Sequence, residues 1–105
     1  MALTPVCLAA DHSAAKELLL ENDSVEVVRL TYPPGTESGM HTHSYPNRVV
    51  YFVAGGALEL IPADKQQSSR VLDAKSGTTL YLPATTHNVR NVGETEIIII
   101  ETEIK

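Results

Sequence analysis

The sequence contains one cysteine, Cys7, so no disulfide can form within the chain. It is also short of positive charge. Eight Lys and Arg against thirteen Asp and Glu give a net charge of -5 with no basic cluster, which makes nucleic acid and anionic membrane poor partners. Apolar runs such as Ile97 to Ile100 fall far short of the ~20 residues a membrane span requires. Met1 to Ala10 has an apolar stretch with no basic leader before it, and a reducing cytoplasm is the expected setting. No Ser-His-Asp order, phosphate loop, Cys-x-x-Cys pair or paired-carboxylate spacing is present. Linkers and low-complexity segments are missing as well.

What is there is a regular series of short apolar runs. A chain of 105 residues has room for one domain and one core. Residues 1–20 form an N-terminal segment without a strong period, a candidate for a flap or a swapped strand. From residue 21 the runs are Val25 to Tyr32, Val49 to Val53, Ala57 to Ile61, Val71 to Ala74, Thr78 to Leu82, His87 to Val92 and Glu96 to Ile104. With Leu18 to Leu20 they make about eight strands. Their lengths and the turn residues between them predict an all-β barrel or sandwich.

Val49 to Val53 and Ile97 to Ile100 are apolar at every position, whereas a strand facing water on one side alternates. Something must cover their outer faces. A second copy of the chain is the favoured cover, giving a homodimer, and the alternative is the N-terminal segment folded back.

Three histidines carry the chemistry. His41 and His43 follow a Pro-Pro-Gly-Thr turn, and on a strand residues i and i+2 project to the same face. His87 enters from a later strand. Three imidazoles with an open side suit a divalent metal, with Fe, Zn, Ni or Mn as candidates. The competing account is a barrel without metal, its histidines packed and hydrogen-bonded.

The spacings resemble the two motifs of the cupin family. Gly35, five residues, His41-Thr42-His43, four residues, Arg48, six residues and Gly55 match the first motif over 35–55, with arginine in the glutamate position. Gly77, five residues, Pro83, then His87, three residues and Asn91 match the second over 77–91, one residue short before the histidine. The overall cast is similar to short stand-alone cupins, some labelled as β-alanine degradation proteins. The resemblance implies a double-stranded β-helix, or jelly-roll barrel, over 21–105, often dimeric, with a divalent metal on His41, His43 and His87.

Arg48 is the main departure. A guanidinium has no lone pair to give a metal. If it points inward it must be neutralised, and the carboxylate of a small anionic molecule bound at the metal could do so; if outward, it is an ordinary surface arginine. Asn47 could offer an oxygen or a hydrogen bond beside the metal, and Tyr45 could hang over the mouth with its hydroxyl available. Glu101 and Glu103 are expected to face solvent, and Asn91 to satisfy backbone groups at the barrel end.

A three-histidine set without a carboxylate looks like the ligand set of thiol and diketone dioxygenases among the cupins. The reading is therefore a metal-dependent, iron-type oxygenase acting on a small carboxylate. The alternatives are a non-catalytic module that binds a small molecule, or a Zn, Mn or Ni isomerase or decarboxylase. Whether the chain is an enzyme at all is left open by its residues.

Overall fold

The computed structural model describes residues 12–105. Among them are nine strands and no helix: β1 (Ala15–Glu21), β2 (Val25–Tyr32), β3 (His41–His43), β4 (Asn47–Ala54), β5 (Gly56–Pro62), β6 (Arg70–Ala74), β7 (Thr79–Leu82), β8 (Thr85–Asn91) and β9 (Ile97–Ile104). The expected eight become nine because the His-Thr-His triplet forms a short strand of its own. Antiparallel pairing builds a five-stranded sheet ordered β1-β2-β9-β4-β7 and a four-stranded sheet ordered β3-β8-β5-β6. This is the all-β jelly-roll barrel that the resemblance implies.

The core lies between the sheets and takes side chains from both: Tyr32, Val50, Phe52, Ile97 and Ile99 from one, Leu58, Ala74 and Val89 from the other. Strand alternation selects them. In β9, Ile97 and Ile99 face inward while Ile98 and Ile100 take the outer parity. β-Branched side chains suit this pleated surface.

Local chemistry closes the turns. The Asn22 side-chain oxygen accepts hydrogen bonds from Ser24 N at 2.8 Å and Val25 N at 2.9 Å, joining β1 to β2. At Gly55 a Cβ would stand 2.2 Å from the Ala74 carbonyl oxygen, so only glycine lets the β4–β5 corner pass so close to β6. Asn91 does what was expected of it. Its Nδ2 donates to the Tyr32 and Thr95 carbonyls, both at 2.8 Å, and its Oδ1 accepts from Gly93 N at 2.9 Å.

The outer face of the five-stranded sheet carries an apolar patch among polar residues such as Arg29, Thr31 and Thr102. Leu20, Tyr51, Val53 and Tyr81 are exposed there, beside the half-buried Ile98 and Ile100. The described part of the N-terminal segment does not cover it: Ser13 bridges to Glu37, and β1 then extends the sheet at its edge, bulged between Leu18 and Leu20. The remainder of the flap expectation falls on residues 1–11, outside the described residues.

Candidate metal centre

The pairing of β3 with β8 sets His41 directly opposite His87. His43 shares the inward face of His41 by alternation, while Thr42 points outward and hydrogen-bonds Thr86, Oγ1 to Oγ1, at 3.0 Å. The three imidazoles meet, with ring centroids 4.6, 4.7 and 5.2 Å apart. His43 and His87 are buried and His41 half-buried. One potential ligand atom from each lies within 4.8 Å of the others.

The hydrogen bonds assign the tautomers. His41 Nδ1 lies 2.8 Å from the Gly39 carbonyl oxygen, which only accepts, so Nδ1 carries the hydrogen. Gly39 sits at φ +82°, a left-handed conformation suited to glycine, and this turns its carbonyl toward the ring. His43 Nδ1 lies 3.3 Å from Glu103 Oε2, again an acceptor. With Nδ1 as the donor on each ring, the neutral forms present bare Nε2 atoms, and these face each other at 2.8 Å. Two acceptors cannot bond. His87 Nε2 is buried and has no hydrogen-bond partner.

Neither His43 nor His87 takes up a proton near neutrality. Burial pushes His43 down to about 4, with Arg48 and His41 adding to it and Glu101 opposing. Burial, then His41, His43 and Arg48, push His87 down to about 3. Three converging imidazoles, two facing each other through Nε2 and the third with a buried Nε2 that has no partner, are what a divalent cation satisfies. The carbonyl on His41 and the carboxylate on His43 are the outer partners that orient metal-bound imidazoles. The residues fit a metal.

Arg48 resolves inward. It is 2% exposed, and its Nη1 donates to Glu101 Oε2 at 2.9 Å, so a carboxylate of the protein itself neutralises it. The expectation that Glu101 and Glu103 face solvent is corrected. Glu101 and Glu103 follow Ile97 and Ile99 on the inward parity of β9; Glu101 is buried and Glu103 half-buried. An inward arginine sharing the parity of Val50 and Phe52 was the signal for a buried carboxylate, but residue spacing does not say on which strand. Glu101 and Glu103 also form with His43 a second group able to approach a cation.

Asn47 takes the outward parity of β4, where its Oδ1 accepts from the Tyr81 hydroxyl. It does not line the cavity beside the histidines. Nor does Tyr45, which lies exposed in the β3–β4 turn.

That cavity measures about 240 Å³. Its walls are mainly apolar, from Leu30, Val50, Phe52, Leu58, Leu72 and Ile99, with the histidines, Arg48, Arg70 and Glu101 among its polar groups. Tyr32 also lines it; its hydroxyl is pushed up to about 12 by burial first and Glu101 second, and hydrogen-bonds Ser38. The tyrosine thus stays neutral. An apolar chamber with a few convergent polar groups is the form of a small-molecule site.

Comparison with known proteins agrees with this fold. Residues 28–103 match the model of the cupin domain. A Pseudomonas aeruginosa protein, β-alanine degradation protein BauB, is 30% identical over 93 residues, which are 88% of this chain and 94% of that one. The crystal structure of a cupin domain from Bordetella pertussis Tohama I superposes with a TM-score of 0.81 at 31% identity, covering 90% of this chain and 96% of that one. A cupin with a double-stranded β-helix fold from Methanocaldococcus jannaschii gives a TM-score of 0.69 at 17% identity over 89% of this chain and 81% of its own.

Proposed function

The chain belongs to the cupin family, and from that membership and the geometry of its histidines we propose that it is a metal-dependent oxygenase of the iron type, acting on a small carboxylate. The observation that carries this reading is the convergence of His41, His43 and His87, one potential ligand nitrogen of each within 4.8 Å of the others, with the buried His87 Nε2 left without a hydrogen-bond partner. His41, His43 and His87 hold the metal, and Glu103 and the Gly39 carbonyl orient His43 and His41. A metal on three neutral nitrogens supplies Lewis acidity and open coordination positions. The apolar chamber of about 240 Å³ sets the size of the ligand. The Pseudomonas relative is named for β-alanine degradation, so small carboxylates of that size are the first to test.

One observation favours a second reading, a non-catalytic small-molecule binder: Arg48, expected to fork a carboxylate, is already neutralised by Glu101. A single experiment separates the two. Elemental analysis of the purified protein is expected to find about one divalent metal per chain. Oxygen uptake by the iron-restored protein is then expected with at least one small carboxylate or thiol. Metal without oxygen uptake across the panel supports the binder; a chain that takes up no divalent metal refutes the oxygenase.

We further propose that a second copy of the chain covers the outer face bearing Leu20, Tyr51, Val53 and Tyr81. Left in water, such a face is an aggregation hazard. Light scattering is expected to give a dimer, with an interface near the usual ~1,600 Å² in total. Tyr51→Glu together with Val53→Glu is expected to yield monomers. A wild-type monomer contradicts the proposal.

A further inference from the structure

The cationic group of this site that remains free is not Arg48 but Arg70. Arg70 opens β6, and its Cα partner on β5 is Leu60; two and four residues on, Leu72 faces Leu58 and Ala74 faces Gly56. Leu58 is in the core and Leu60 packs against it. Alternation therefore puts Arg70, Leu72 and Ala74 on the concave face of their sheet. The outward parity belongs to Glu59 and its partner Val71, and Glu59 is occupied by Arg90 at 3.1 Å and Ser69 at 2.9 Å.

Arg70 lines the apolar chamber and also an adjoining outer vestibule of about 420 Å³. His87 and Arg48 line both spaces too, so the vestibule leads to the histidines. Among the described residues, Arg29, Arg48, Arg90 and Lys105 each meet a carboxylate, and no ion pair or hydrogen bond involves the Arg70 side chain. A second observation lies on the shared wall. Arg48 Nε is buried without an acceptor, although the other end of the same guanidinium is paired. An unpaired guanidinium on a concave wall, in a space also lined by an arginine whose buried Nε–H lacks an acceptor, calls for an anion.

We propose that Arg70 is the anion-binding residue of this cupin: it receives the carboxylate of a small ligand whose short apolar body extends through the vestibule toward the histidine centre. This rests on the reading above that the centre acts on a small molecule. The chemistry favours a carboxylate over a phosphate ester. One free guanidinium forks a single planar carboxylate, and the vestibule offers no second unpaired arginine for a dianion.

The test is calorimetric titration of the zinc-loaded protein with propionate and butyrate, each against its uncharged amide. The carboxylates are expected to bind at least tenfold more tightly than the amides. Arg70→Gln is expected to weaken the carboxylates about tenfold or more and leave the amides and the zinc content unchanged, while Arg70→Lys recovers part of the loss because charge returns without the fork. Arg70 is exposed, so equal melting temperatures are expected for all three proteins. Carboxylates that bind no better than amides, or Arg70→Gln with wild-type carboxylate affinity, overturn the proposal. Titration of the metal-free protein keeps the two readings apart. Carboxylate binding that depends on Arg70 in a chain that takes up no metal sinks the metal centre and leaves Arg70 in place.

Discussion

Arg48→Ala is expected to cost about 3–5 kcal/mol of folding stability, because it leaves the Glu101 carboxylate buried without its partner. For a domain of this size each kcal/mol moves the melting temperature by roughly 4–8 °C, so a loss well above 10 °C is expected. Glu101→Ala should behave alike, since it strands the guanidinium beside His43 and His87, both of which feel its charge. The double substitution Arg48→Leu with Glu101→Leu is expected to recover most of the loss. Two charges taken out of water give little net stability even when paired, whereas one alone carries the whole desolvation cost. Thermal melting of the four proteins measures this. Single variants that each lose less than 1 kcal/mol would show that water reaches the pair.

Removing a histidine of the centre should give the second large effect, on metal affinity rather than on folding. His87→Ala or His43→Ala is expected to weaken zinc or iron(II) binding roughly hundredfold or more, because a three-nitrogen site becomes a two-nitrogen one. Glu103→Gln should cost about tenfold, since it only loosens the hydrogen bond that orients His43. The same substitutions have a readout without metal. In the metal-free wild type, His43 and His87 stay neutral down to about 4 and about 3, whereas in the unfolded chain they take up protons near 6.5. Between those values the unfolded state binds more protons, so stability is fully present above about pH 6.5 and falls as the pH drops toward 4. His87→Ala should flatten that acid dependence while abolishing tight metal binding. A variant that binds metal as the wild type does would remove His87 from the centre.

Arg48 is also the clearest case of what a motif can and cannot convey. The spacing from His43 marks position 48 as one where cupins usually carry glutamate, and the presence of arginine shows that the charge of the site is rearranged. Where the compensating carboxylate comes from is not in the motif. It arrives from β9, 53 residues away, on a strand whose run of four isoleucines gives no sign of which parity faces the core.

The sequence by itself determined the all-β class and the family, and it singled out the three histidines that the fold brings together. Each of these rests on short-range regularities: alternation along a strand, turn residues between runs, fixed intervals within two motifs. The tertiary structure alone decided the inward course of Arg48, the burial of Glu101 and Glu103, the outward placement of Asn47 and the position of Arg70 on the concave wall. Each depends on which face of a strand meets the other sheet, and a shift of one residue in register exchanges the two faces. Pairing between strands far apart in the chain sets that register. The outer apolar face belongs to both accounts: the sequence shows runs that are apolar at every position, and the sheet order shows that they lie side by side, with Tyr51 paired to Ile100.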